Sequence, residues 1–168
     1  MVKHSTSDQR GLSLIEIIVV LAIIAVIGGG SLISLSLITG QNIKSCYKEL
    51  EGYMEETRIR AMSRDGSPSM EISIGADGAV YVTQTDTAVT TKIGKKGLTV
   101  KYITPSDTYT VDETNHLVIG FEHSTGAFKK VDIPSSTDKE YCNAIVLSDG
   151  QREYTMKLVP RTGKYYRE

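Results

Sequence analysis

Glu16 is the residue in this sequence whose setting most needs a chemical explanation. It follows Leu12 by four positions, and from Ile17 to Ile38 there is no charged residue at all. A carboxylate at the centre of an apolar membrane helix costs on the order of 2.5–3.5 kcal/mol, and less near an end. An ordinary signal peptide or anchor has no physical use for one. The bland alternative is a headgroup-level charge with no role. The other residue types capable of chemistry are sparse. Cys46 and Cys142 are the two cysteines, and His4, His116 and His123 the three histidines. His116 and His123 are seven apart on or beside an expected strand; an odd spacing puts them on opposite faces and argues against a shared metal. No zinc-type Cys/His spacing, P-loop, nucleophile elbow or dinucleotide fingerprint occurs. Asp112-Glu113 reads as solvated loop charge, and Asp149 in Ser-Asp-Gly as a turn residue. The sequence implies no enzyme activity, no metal and no cofactor.

The elements that must position Glu16 are legible. The chain has 168 residues and a net charge of −1, which gives no electrostatic case for nucleic-acid binding by the whole chain. The run IIVVLAIIAVIGGGSLISLSLI meets the roughly 20-residue length of a membrane-spanning helix. A leader carrying Lys3 and Arg10 against Asp8 precedes it, which predicts a cytoplasmic N-terminus and an exported remainder. One helix is expected from Leu12 to near Ser63, about 77 Å long. Its outer half carries a stripe of Ile43, Tyr47, Leu50, Met54, Thr57 and Ala61 at helical spacing, the mark of a helix packed on one side. Lys48, Glu49, Glu51, Glu55, Glu56 and Arg58 lie largely off that stripe. Gly28-Gly29-Gly30 interrupts the inner half, each costing roughly 1 kcal/mol in a helix interior. The triplet serves either as a soft point or as a close helix–helix contact through small residues.

From Ser69 onward short strands and turns predominate. Met70–Ile74 and Ala79–Thr83 flank a Gly75-Ala76-Asp77-Gly78 turn. Leu98–Ile103 is a further strand. Leu117–Glu122 and Ala127–Ile133 flank Ser124-Thr125-Gly126, and Ala144–Leu147 and Glu153–Val159 flank Ser148-Asp149-Gly150. Thr162-Gly163 precedes a last short strand, while Thr83–Thr91 reads as strand edge and loop. The expected class is α+β: a long N-terminal helix packed on an antiparallel β-sheet head. Its parts are a leader (1–11), a transmembrane helix half (12–38), an amphipathic outer half (39–63) and a β-rich globular domain (64–168). Cys46 clears the membrane core by helix length, so both cysteines fall in the exported part. That suggests a Cys46–Cys142 disulfide, with two free buried thiols as the alternative.

Gly11-Leu12-Ser13-Leu14-Ile15-Glu16 resembles the prepilin cleavage motif of type IV pilins and type II secretion pseudopilins. There a Gly is followed by a large apolar residue, usually Phe, then Ser or Thr, Leu, Ile and Glu. Leu12 replaces the usual Phe and stays large and apolar. The resemblance implies cleavage between Gly11 and Leu12 by a membrane aspartyl prepilin peptidase and N-methylation of Leu12. It implies that Glu16 pairs with a free N-terminal amine, its own or a neighbour's, and so guides assembly. It also implies helix softening during filament packing, here assigned to Gly28, Gly29 and Gly30. The hairpin-rich C-terminal half resembles the H-type minor pseudopilins.

By the same resemblance the partners are other pilin or pseudopilin subunits, the prepilin peptidase, a membrane platform protein and a cytoplasmic assembly ATPase. The chain is then a single-pass membrane protein with its C-terminal domain outside, ending in a pilus or secretion pseudopilus at the cell surface or in the periplasm. Two other readings stand beside this one. One is a competence pseudopilin contacting DNA through Lys92, Lys95, Lys96, Lys129 and Lys130. The other is a membrane-anchored exported β-domain that binds a ligand, which leaves Glu16 unexplained.

Overall fold

The computed structural model describes residues 14–63, 66–134 and 136–168; within the helix, the side chains of residues 26–40 are outside the description. The chain is α+β. It divides into two compact units, Met1–Ile38 and Thr39–Glu168. Helix α1 spans Leu14–Ser63. Among the described residues no helix is long and apolar enough to cross a membrane. The apolar run expected to span reaches Ile38, and its residues 26–38 lie outside the described side chains.

In the first unit, every described side chain from Leu14 to Ala25 is exposed. These residues are almost all aliphatic, and Glu16 in the first turn is the exception.

The second unit begins with the outer part of the helix. All six stripe residues are buried there: Ile43, Tyr47, Leu50, Met54, Thr57 and Ala61, joined by Cys46. The strands that follow are β1 (Ser69–Ile74), β2 (Val80–Gln84), β3 (Val89–Gly94), β4 (Thr99–Ile103), β5 (Thr108–Val111), β6 (Leu117–Gly120), β7 (Val131–Asp132), β8 (Lys139–Glu140), β9 (Ala144–Ser148), β10 (Glu153–Val159) and β11 (Lys164–Arg167). They form one sheet in the order β3-β2-β1-β6, a second in the order β11-β10-β9-β4-β5, and a β7-β8 pair. All of these pairings are antiparallel. Alternating residues such as Met70, Ile72, Val80 and Val82 point into one core, because successive strand side chains face opposite ways. The same core holds Tyr102, Phe121, Ile145, Leu147 and Met156.

The structure departs from the sequence expectations at three places. Val89–Gly94, at the end of the Thr-rich stretch, is a full strand; Thr83 and Thr90 pair across it and their hydroxyls lie 2.9 Å apart. Thr108–Val111 is a strand paired with β4. The hairpin expected around Ser124-Thr125-Gly126 is cut short. Glu122 N–H reaches the Ala127 carbonyl, and Phe121 bridges Phe128, but the Phe128 N–H turns to the Pro160 carbonyl. That diversion frees the following segment to pair Val131–Asp132 with Lys139–Glu140, while β6 runs along β1.

Candidate processing and assembly site

Gly11, Leu12 and Ser13, where cleavage is expected from the sequence, lie outside the described residues. The described part of the motif begins with Leu14 and Ile15, both well exposed, and Glu16 in the first turn of α1. A carboxylate there faces the positive end of the helix macrodipole, worth roughly 0.3–1 kcal/mol when exposed. Glu16 therefore has a favourable local setting before any partner arrives. Gly28, Gly29 and Gly30 fall within the span of α1, which is assigned as helix without a break.

The thiols differ from the expectation of a bridge: Cys46 and Cys142 are both free and buried. Cys46 Sγ lies so close to Gly94 that a Cβ there would approach it to 2.9 Å. The Cys142 thiol instead donates to the Ala144 carbonyl at 3.4 Å. Each sulfur is thus engaged with its own strand. Burial pushes both thiols up to about 12, with Glu49 adding to the effect at Cys46. A thiol with so little thiolate is a poor nucleophile and a poor candidate for exchange.

The histidines take separate structural partners. His116 Nδ1 meets the Glu71 carboxylate and its Nε2 faces the Glu113 carbonyl. His123 Nδ1 lies 2.8 Å from the Ala61 carbonyl, so its N–H caps one of the orphan acceptors at the end of α1. Asp112 and Asp149 both accept backbone N–H bonds within their own turns, which holds their carboxyls below the usual range. Among the described residues no cluster of His, Cys, Asp or Glu is arranged to hold a metal.

Several joints between helix residues and strand residues carry no sequence signal. Arg58 Nε donates to the Gly126 carbonyl at 3.3 Å and its Nη2 to the Thr162 carbonyl at 3.4 Å. Gly163, at φ +64, lies against the same carbonyl: a Cβ there would fall 1.7 Å from Gly126 O. Tyr165 OH donates to the Glu51 carbonyl, and Gln84 Nε2 to Glu56 Oε2. Arg60 bridges Glu56 and Asp86. Apart from the Glu56–Arg60 pair within one helix, these partners are 26 to 114 residues apart in sequence, and neither periodicity nor turn chemistry reaches so far.

The described helix start is thus exposed, aliphatic and marked by a single acid, Glu16. Residues 6–32 match the family model of the prokaryotic N-terminal methylation motif. That is the signature of type IV pilins and pseudopilins, and the chain carries it. The match takes in Gly11, Leu12, Glu16 and the Gly28–Gly30 triplet. The chain matches no curated protein and no solved structure.

Proposed function

We propose that this chain is a type IV pilin-like structural subunit, made as a precursor and assembled into a filament. The observation that carries the proposal is the methylation-motif match over residues 6–32, with Gly11-Leu12 and Glu16 inside it. A prepilin peptidase hydrolyses the Gly11–Leu12 peptide bond, water supplying the hydroxyl to Gly11 and a proton to the departing Leu12 amine. Transfer of a methyl group from a sulfonium donor, which leaves as the thioether while the amine gives up a proton, completes the mature N-terminus. Only the leader is lost, so the apolar helix stays on the product, unlike a secretory signal peptide.

In the proposed mature chain the Leu12 amine precedes Glu16 by four residues. That spacing brings the two groups to neighbouring positions on a helix. Within one chain the pair neutralises itself; between chains the same pair selects a stagger, because an unpaired charge in an apolar surround is costly. Leu14, Ile15 and the aliphatic residues that follow supply the surface that holds the subunit in the membrane before assembly and against its neighbours after it. The buried stripe of residues 43–61 shares one core with the strands of the second unit.

Glu16→Val tests this division of labour. The variant is expected to be cut after Gly11 at the normal rate, since Glu16 lies beyond the scissile bond, and to give at least about tenfold fewer filaments, the loss expected when roughly 1.4 kcal/mol of pairing disappears. Filament yield would be read by shearing and immunoblotting, and cleavage by mass. Normal filament yield from Glu16→Val would sink the assembly role.

A further inference from the structure

The end of the second unit nearest in sequence to the apolar run carries positive charge that nothing in the fold uses. The β3–β4 turn, Lys95-Lys96-Gly97, folds back beside the helix, and the Lys95 N–H donates to Asn42 Oδ1 at 3.2 Å. Gly97 at φ +96 permits the reversal. Lys44 is two residues further along the helix, a rise of about 3 Å. The stem of Lys96 lies over Gly78, where an added Cβ would come within 3.2 Å of its Cγ. Lys92, on the adjoining strand, holds Asp77 at 2.7 Å and so offsets the charge of that acid. The Ser148–Arg152 turn is brought close by the Thr99–Ser148 pairing. It offers Asp149 against Arg152, and Asp149 is occupied by backbone N–H groups of Gln151 and Arg152. On the helix the nearest acid is Glu49, more than a turn beyond Lys44. Lys44, Lys95 and Lys96 are all exposed and make no ion pair among the described residues.

We propose that Lys44, Lys95 and Lys96 form a contact for the phosphate headgroups of an anionic lipid surface. The inference rests on the membrane-anchored subunit proposed above. Asn42, which the lysine turn grips, is four residues beyond Ile38, the end of the apolar run, so the chain can separate the two by at most about 14 Å. The headgroup layer adds roughly 5–8 Å on each side of the hydrocarbon core, and charge acts over a screening length of about 8–10 Å. Lysines carried beside Asn42 can therefore reach the range of lipid phosphates. Each lysine near an anionic lipid surface strengthens attachment to it severalfold. The contact would hold the waiting subunit's head down on the membrane, and it would be released as the subunit leaves the bilayer for a filament. Lys129 and Lys130 are far along the chain from Asn42, and Lys130 lies over the Tyr141 ring; they serve as controls.

The test uses the full chain reconstituted into phosphatidylcholine vesicles and into vesicles containing phosphatidylglycerol. A brief amine acetylation is followed by mass spectrometry, with Lys44, Lys95 and Lys96 normalised to Lys129, Lys130 and Lys139 of the same molecules. The expected result is labelling of the three lysines reduced by about threefold or more on the anionic vesicles only, restored by 0.5 M salt at roughly a 4 Å screening length. Equal labelling on both vesicles, with the chain floating with both, overturns the lipid contact and leaves the anchor standing. Failure to float with either overturns the anchor and this contact together. Protection by short duplex DNA on phosphatidylcholine vesicles, with none from the anionic lipid, assigns the patch to nucleic acid and overturns the proposal.

Discussion

Residues 14–25 and residues 43–61 belong to one helix, yet their apolar side chains meet opposite surroundings. In the first stretch Leu14, Ile15, Ile18, Leu21 and Ile24 are all exposed, Leu14 by 76% and Ile24 by 59%. In the second, Ile43, Leu50 and Met54 are at most 1% exposed. Fully burying one such side chain is worth roughly 1.5–3 kcal/mol. The second stretch gains that free energy within its own unit. The first does not gain it from the described residues of its own chain. The difference lies in patterning: residues 43–61 alternate with charged positions at helical spacing, whereas residues 17–25 are apolar on every side and offer no polar face to water.

The contrast can be broken most sharply where helix and strands are clamped. Gly163→Ala places a Cβ against the Gly126 carbonyl at a positive φ, beside the Arg58 guanidinium that binds the same oxygen. We expect a loss of roughly 4 kcal/mol or failure to fold, measured by urea unfolding; a change below about 1 kcal/mol would show that the clamp yields at no cost. Met54→Ala is expected to cost about 2–5 kcal/mol, as for other buried methionines. Ile24→Ala in the same experiment is expected to change head stability by less than about 0.5 kcal/mol. Equal losses from Met54→Ala and Ile24→Ala would erase the distinction between the two stretches.

The smallest effect concerns the thiols. A disulfide reagent at pH 8 should find neither Cys46 nor Cys142 in the folded chain, because burial holds both at about 12 and keeps them protonated. Both should react after denaturation without reductant. A protein that yields no thiol on denaturation carries the bridge, and the local packing described for each sulfur would be incorrect.

The buried stripe was readable because its 3–4 spacing reports which side of a helix is covered, whatever covers it. The turns at Gly75–Gly78 and Ser148–Gly150 were readable for a similar local reason, since Gly and Asp there meet backbone requirements of their own. Strand β3 was hidden because Val89-Thr90-Thr91-Lys92 is mostly exposed and lacks alternation; only its pairing with β2 reveals it. Val131–Asp132 and Lys139–Glu140 were hidden because two-residue strands carry no period. Arg58 resembled a solvated charge, and its role depends on two carbonyls 68 and 104 residues away. The methylation motif is the opposite case: it is a pattern of residue types along residues 6–32, so it was legible without any fold.

The central claim is that the apolar helix is kept and exposed at a new N-terminus. The direct measurement is the N-terminal sequence and intact mass of the protein recovered from its own host's membranes. The account predicts a chain that begins at Leu12 and carries one added methyl group. A chain that begins beyond Ile27, or one that still begins at Met1, would contradict it.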